Sequence, residues 1–138
     1  FERIVSCYCE KIVNHAKWSS KKNQGEFIHY MINNNYSFSQ FVKKITTDFD
    51  GKDGHWKSCS DFIPNDFSEY GFIGKCDNFK SDFSEVCNYL KIPNKEPPVF
   101  NKSKHNHYSE YYDDETFNMV ENRYKDDIRR FKFKFETT

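Results

Sequence analysis

The sequence predicts an α/β fold that is mostly helical and retains one or two strands. Apolar residues recur at helical spacing from Phe1 to about Ala16 and again from Phe117 to Phe131, which indicates two amphipathic helices. Tyr70 to Cys76 alternates apolar residues with glycine and predicts a short buried strand. At 138 residues, the chain is long enough for one domain with a modest core.

The composition limits the partners that the chain can have. Aromatic residues make up 19% of it, so we expect a core built largely of rings. The formal net charge is zero, which gives no overall field to favour nucleic acid, and we predict no nucleic-acid partner. No apolar run is long enough to cross a bilayer, and the start of the chain lacks a signal-peptide pattern.

The cysteines and histidines do not indicate a metal site or a disulfide framework. Five cysteines are scattered through the chain without a Cys-x-x-Cys pair, and we interpret them as mostly reduced. Cys7-x-Cys9 and His105-x-His107 are the pairs closest to a ligand pattern. Neither has a partner pair at the usual zinc spacing, so no metal is predicted.

The first helix carries a candidate anion-binding pair. Arg3 and Ser6 lie one turn apart beside the apolar stripe. A serine hydroxyl near a helix N-terminus can join free backbone amides in binding a phosphate. The alternative is a surface serine and an ordinary helical arginine, and the residue types alone favour that alternative.

The middle of the chain predicts a surface segment, two helices and a loop. Lys17 to Asn35 is polar, with one helical turn expected at Phe27 to Ile32. Ser37 to Gln40 is a capping box that opens a short helix. His55-Trp56 follows in a loop, and a second amphipathic helix runs from Phe79 to Leu90. The residues expected to face inward on these two helices are Phe38, Phe41, Val42 and Ile45, then Phe79, Phe83, Val86, Cys87 and Leu90.

A cationic loop precedes the last helix. Lys102, Lys104, His105 and His107 lie between Val99 and Tyr108 without an acid, so the loop suits an anion. The helix that follows begins with Asp113, Asp114 and Glu115 at its N-terminus, and we expect it to be one helix through Phe131. Because those carboxylates already occupy the helix N-terminus, the loop side chains would have to hold any anion. A solvated Lys/His loop before a core helix is the plainer alternative.

Several stretches resemble the carbohydrate-type sulfotransferase family. Phe-Glu-Arg-Ile-Val-Ser-Cys-Tyr at residues 1–8 is similar to the tail of that family's 3′-phosphate motif. Asn-Lys-Ser-Lys-His-x-x-Tyr-x-x-Tyr-Tyr at residues 101–112 is similar to its C-terminal end. His55-Trp56 and Gly74 to Phe79 also match the family's pattern, although Lys57-Ser58 departs from the usual continuation.

The resemblance implies a fold, a donor and a set of contacts. The chain would be the C-terminal, mostly helical part of a P-loop-like three-layer domain, with residues 1–138 a single partial domain. The donor would be 3′-phosphoadenosine 5′-phosphosulfate (PAPS), without a metal. Ser6 would hold the 3′-phosphate together with an arginine that would lie upstream of Phe1, and Lys102 and Ser103 would lie at the phosphosulfate end.

The resemblance also implies where the remaining chemistry lies. The family's phosphate loop and main catalytic base would precede Phe1, so we expect residues 1–138 alone to be inactive. His55 and His105 are candidates on the acceptor side, and the acceptor would be a hydroxyl, commonly of a carbohydrate. Bacterial relatives are cytoplasmic or membrane-associated, whereas eukaryotic ones are anchored in the Golgi membrane. Because the cysteines are interpreted as reduced, we expect the bacterial location, cytoplasmic or membrane-associated.

Two other functions fit the same residues. A non-catalytic module could bind anions or carbohydrates through the Lys/His loop. A different PAPS- or nucleotide-using transferase is the third possibility. A phosphate loop in the upstream sequence would favour an enzyme, and its absence would favour the binding module.

Overall fold

The fold is assembled from short helices. A computed structural model describes residues 1–14, 26–47, 54–63, 66–96 and 103–138. Its α-helices are α1 (Glu2–Tyr8), α2 (Glu26–Asn33), α3 (Phe38–Thr47), α4 (Phe79–Leu90), α5 (Asp114–Arg123) and α6 (Lys125–Phe131). The chain divides into two compact units, Phe1–Phe62 with Ser103–Thr138 and, separately, Ile63–Lys102. None of the helices in the described ranges is long and apolar enough to span a membrane.

The first helix is confirmed and ends in an unpredicted π turn. Ile4 and Val5 are buried in the core, as the apolar stripe indicates. From Cys9–Val13 the helix widens, and the Asn14 N–H donates to the Cys9 carbonyl at 2.9 Å. His15 and Ala16, included in the predicted helix, lie outside the described residues.

Helix α3 forms as the sequence indicates, whereas the surface segment expected around α2 is wrong there, because α2 buries Ile28 and Met31 in the core. α2 spans eight residues and is longer than the single turn expected there. The capping box of α3 is present, because the Ser37 N–H donates to Gln40 Oε1 at 2.9 Å and the Gln40 N–H donates to Ser37 Oγ at 3.3 Å. All four residues expected to face inward on α3 are buried. Those residues therefore join α1 in one core.

Aromatic rings occupy much of the core of the first compact unit, Phe1–Phe62 with Ser103–Thr138. Trp56 is 1% exposed, and its ring meets that of Phe41 edge-on at 5.9 Å. The Tyr124 hydroxyl donates to the Trp56 carbonyl at 2.6 Å. Burial is the main reason why the pKa of Tyr124 is raised to about 12. This phenol therefore stays a hydrogen-bond donor at neutral pH.

The helix expected to run unbroken to Phe131 is interrupted. Its start is confirmed, because Asp113 and Thr116 form a reciprocal capping box. At Tyr124, however, φ is −111° and ψ is 21°, which separates α5 from α6. The Tyr124 N–H still donates to the Val120 carbonyl at 3.0 Å, and Ile128 donates to the Tyr124 carbonyl at 2.9 Å. The break is therefore a local distortion that α-helical periodicity does not reveal.

The strand expected from Tyr70 to Cys76 is not found, and the described residues contain no strand. A strand requires a neighbour for its backbone groups. Here the Lys75 N–H instead donates to the Asp82 carboxylate at 2.7 Å, and the glycines at 71 and 74 are exposed. The segment is an irregular lead into α4.

Helix α4 is confirmed, but most of its expected inner face is not buried. Among those residues only Cys87 is buried. Phe79 is 51% exposed and Leu90 is 55% exposed. The sequence pattern thus identifies the apolar face correctly, but the burial expected from it is wrong at both ends of the helix.

A buried carboxylate attaches the loop at residues 58–60 to α6. Asp127 is 3% exposed and accepts hydrogen bonds from Ser58 Oγ at 2.6 Å and from the Cys59 N–H at 2.6 Å. It also accepts from the N–H and the hydroxyl of Ser60, at 2.9 and 2.6 Å. Burial alone would raise the pKa of Asp127, but these hydrogen bonds outweigh it and hold that pKa below its ordinary value.

We expect Asp127→Ala to lower the free energy of unfolding by about 2 to 4 kcal/mol, because four donors lose a charged acceptor. Urea denaturation at neutral pH measures this loss. Asp126→Ala is the matched control, since Asp126 is exposed and pairs with Arg129 at 3.2 Å. Exposed pairs contribute about 0 to 1 kcal/mol. Equal losses in the two variants would contradict a special role for Asp127.

We also expect the free energy of unfolding to vary with pH because of Asp127. Its pKa is lower in the folded state, so its contribution is complete above the ordinary aspartate value of about 4. That contribution is lost as the pH falls through the folded-state value. Unfolding measured from pH 7 down to about pH 3 should therefore show a weaker acid dependence in Asp127→Asn than in the wild type. Parallel curves for the two proteins would exclude this contribution.

Candidate functional site

The hydroxyls of Ser6 and Ser103 meet, although the two residues are 97 positions apart. Ser103 Oγ donates to Ser6 Oγ at 3.0 Å. Ser6 is on the last turns of α1, and Ser103 begins the segment that leads to α5. The structure therefore brings together two of the residues that the sequence nominates for the donor site.

His105 joins the same group and is largely buried. Its Nε2 lies 3.0 Å from Ser6 Oγ, and its side chain is 8% exposed. Nδ1 lies 2.6 Å from the carbonyl oxygen of Asn106. Because a carbonyl oxygen only accepts, Nδ1 must carry a proton. Both ring nitrogens are thus engaged within the protein, Nε2 in this group and Nδ1 at the backbone of the next residue.

Glu2 completes the group and was missed by the sequence analysis. Its Oε1 lies 3.3 Å from Ser6 Oγ and 3.2 Å from His105 Nε2. The signal available in the sequence was the spacing of four residues between Glu2 and Ser6, which places both on one side of a helix. We call Glu2, Ser6, Ser103 and His105 the hydroxyl cluster.

Two tyrosines behind the loop connect it to α1, and one of them packs against the His105 ring. The Tyr111 ring meets the His105 ring edge-on at 6.1 Å, and the Tyr111 hydroxyl is 3.6 Å from Cys9 Sγ. Burial is the main cause that raises the pKa of the Cys9 thiol, so this thiol is neutral. The Tyr112 hydroxyl donates to the Phe1 carbonyl at 3.1 Å, which ties this part of the chain to the start of α1.

His107 starts the turn that presents these tyrosines. Its Nδ1 accepts from the Ser109 N–H at 3.4 Å and lies 2.8 Å from Ser109 Oγ. The 3₁₀ turn that follows, Tyr108–Tyr111, carries the rings against α1. His107 is exposed and therefore has a capping role separate from the hydroxyl cluster.

Arg3 is directed away from the hydroxyl cluster. Its Nη1 donates to Cys59 Sγ at 3.2 Å, and its Nη2 donates to the Lys57 carbonyl. The guanidinium therefore holds the loop that Asp127 also binds. The sequence correctly places Arg3 beside Ser6 along the helix, but the helical spacing does not reveal which way the longer side chain turns.

Of the other nominated residues, His55 is described and is not part of the cluster. His55 is exposed and lies beside Trp56, with ring centroids 6.2 Å apart. Its proposed role toward an acceptor stays a prediction. Lys102 lies outside the described residues. Lys104 is exposed in the same loop and supplies positive charge near the cluster's surface.

The two serine hydroxyls of the cluster can donate hydrogen bonds to an anion, whereas the Glu2 carboxylate can only accept them. Serine hydroxyls donate to phosphate or sulfate oxygens, and such charge-assisted bonds are stronger than neutral ones. The two donors are close enough to contact one tetrahedral anion together. In the part of the chain that the structure describes, no group of three or more His, Cys, Asp or Glu side chains could hold a metal ion.

Comparison with known proteins identifies the family. A sequence model of the sulfotransferase family matches residues 1–134. Neither a curated protein nor a solved structure matched the chain. Because the family match extends over nearly the whole chain, we conclude that the chain belongs to the sulfotransferase family.

Proposed function

We propose that this chain forms part of an enzyme that transfers a sulfuryl group from PAPS to a hydroxyl of a carbohydrate or similar acceptor. Membership of the sulfotransferase family supports the reaction class. The observation that carries the donor assignment is the contact between Ser6 Oγ and Ser103 Oγ at 3.0 Å. It joins the two segments that resemble the donor-binding parts of carbohydrate sulfotransferases.

We further propose that Ser6 and Ser103 hold one anionic group of the donor, its 3′-phosphate. The resemblance alone assigns Ser103 to the phosphosulfate end. Two hydroxyls in direct contact are better suited to one phosphate than to opposite ends of a nucleotide. Lys102, one residue earlier in the chain, keeps its proposed place at the phosphosulfate end.

The chemistry requires few covalent steps from the protein. The bond between the sulfur and the oxygen that bridges to the 5′-phosphate breaks as the acceptor oxygen bonds to the sulfur. The acceptor proton passes to a base, and 3′-phosphoadenosine 5′-phosphate (PAP) leaves. Catalysis then depends on alignment of donor and acceptor and on positive charge near the bridging oxygen. The hydroxyl cluster would contribute alignment by fixing the end of the donor that does not react.

We expect Ser6→Ala and Ser103→Ala each to weaken PAP binding by about 1 to 3 kcal/mol, the usual loss for a hydrogen bond to a charged group. The affinity for adenosine 5′-phosphate, which lacks the 3′-phosphate, should stay unchanged. Titration calorimetry on the full-length protein measures both. Because the two hydroxyls share one anion, the double variant should lose less than the sum of the two single losses.

Ser109→Ala is the matched control, because Ser109 is bonded to His107 and not to the cluster. It should bind both nucleotides normally. Equal losses for PAP and adenosine 5′-phosphate in the Ser103 variant would return Ser103 to the 5′ end and contradict the shared 3′-phosphate. Unchanged affinities in both single variants would remove the cluster from the donor site.

We expect the full-length protein to transfer labelled sulfuryl groups from PAPS to at least one member of a panel of oligosaccharides with free hydroxyls. The Ser6→Ala/Ser103→Ala double variant should lower kcat/KM for PAPS by about tenfold to a thousandfold, since a misplaced donor loses its alignment. Product analysis by mass spectrometry checks the bond formed. Transfer of a phosphoryl group from ATP, with no transfer from PAPS, would instead support a different nucleotide-using transferase.

A further inference from the structure

Three polar atoms at the centre of the hydroxyl cluster compete for protons. Ser6 Oγ, His105 Nε2 and Glu2 Oε1 lie within 3.0 to 3.3 Å of one another. A carboxylate oxygen only accepts, while a hydroxyl offers a single proton. If the imidazole is neutral, its proton is on Nδ1, where it is donated to the Asn106 carbonyl at 2.6 Å. Of the three atoms, only Ser6 Oγ then carries a proton, and that oxygen also accepts the hydrogen bond from Ser103 Oγ.

Ligand binding removes that single proton from the group. An anion at Ser6 and Ser103 attracts the hydroxyl protons of both residues, because these are the donors that they offer. With the Ser6 proton turned toward the anion, the lone pairs of Nε2 and of the Glu2 carboxylate would face each other across 3.2 Å. Two acceptors without a proton between them repel, so this arrangement is unfavourable.

A proton on Nε2 removes the conflict. The imidazolium donates to Glu2 Oε1 or to the Ser6 oxygen, and its charge faces a carboxylate on one side and the bound anion on the other. We infer that His105 is a positioning residue that takes up a proton when an anion binds Ser6 and Ser103, with Glu2 as the counter-ion of the imidazolium. This inference rests on the proposed function, because it assumes that the donor's phosphate is the anion.

The other groups around His105 do not supply the proton. Behind the ring, hydrogen bonding with Cys9 raises the pKa of Tyr111, and burial raises that of Cys9, so both are neutral near pH 7. Glu110 accepts from the side-chain amide of Asn106 at 3.0 Å. Among the described residues of the loop, Lys104 and His107 are the flanking basic ones, and both are exposed. From α1, Glu2 provides the facing carboxylate, while Arg3 is bonded at the loop of residues 57–59.

The inference changes the role of His105 from the acceptor side to the donor side. The histidine acts through Ser6 and has no need to touch the acceptor. Because donor binding is then coupled to proton uptake, donor affinity should decrease toward alkaline pH. A histidine suits such a link because imidazole side chains change charge close to neutral pH.

Calorimetry of PAP binding in two buffers of different ionisation enthalpy at pH 7 counts the protons exchanged. We expect the wild type to take up more protons than His105→Gln, with a difference of up to about one proton per nucleotide. The comparison between proteins is needed because a phosphate ester also titrates, near pH 6. His107→Gln is the matched control from the same loop and should give the wild-type count.

Glu2→Gln is the second informative variant. Its side-chain amide can donate to a neutral Nε2, so the bound state no longer needs the extra proton. Proton uptake should fall as in His105→Gln, while PAP still binds. Glu2 is half exposed, and equal melting temperatures would show that its substitution leaves the fold intact. Wild-type proton counts in both variants would overturn the inference.

An anion that does not change its own protonation near neutral pH can test this inference separately from the proposed function. Inorganic sulfate stays a dianion at neutral pH, and the imidazole ¹⁵N shifts of His105 report its protonation directly. A shift toward imidazolium on sulfate addition, absent in Ser6→Ala, supports the inference. An imidazole that stays neutral while sulfate or PAP binds would overturn it. Failure of PAP to bind, with the sulfate response intact, would count against the PAPS donor alone.

Discussion

The packing of aromatic rings around Phe1 is the interaction on which the candidate site depends. The Phe1 ring stacks on Phe117 at 5.2 Å and meets Phe135 edge-on at 4.9 Å. The Tyr112 hydroxyl binds the Phe1 carbonyl, and the Glu136 N–H donates to Tyr108. These contacts fix the start of α1 against the C-terminal part of the chain. Because Ser6 is five residues further along one rigid helix, its position relative to Ser103 follows from this packing.

The two ends of the first compact unit thereby depend on each other. α1 contributes Glu2 and Ser6, and the segment after Ser103 contributes the remaining hydroxyl and the imidazole. Neither segment has a complete set of donors and acceptors by itself. Burial of rings contributes to the stability here, since large aromatic side chains remove much apolar surface from water. The polar cluster lies at the edge of that apolar packing, where hydroxyls stay accessible to a ligand.

Periodicity and capping chemistry made much of the helical fold predictable. The apolar stripes of α1 and α3 and the carboxylates at the start of α5 each depend on near neighbours in sequence, and all three were confirmed. Other features depend on distant partners. The break at Tyr124 coincides with its contact to Trp56, 68 residues away, and the expected strand at Tyr70 to Cys76 has no described partner to pair with. Local spacing carries no information about either.

The candidate site likewise combines features that the sequence predicts with features that depend on distant partners. Resemblance nominated Ser6 and Ser103 separately, and the fold brings their hydroxyls together. The role of Glu2 and the turning of Arg3 toward Cys59 required coordinates, because a side chain's direction depends on what packs beside it. Arg3 and Asp127 thus hold the same short loop from two helices.

That shared loop gives the protein a built-in optical signal. Trp56 lies just before the residues held by Asp127 and is 1% exposed, so its indole should emit at short wavelength while the loop is attached. The sequence contains two tryptophans, and replacing Trp18 with phenylalanine would leave Trp56 as the single indole emitter. A red shift in emission without loss of helical circular dichroism would then report release of the loop as an event separate from unfolding of the helices.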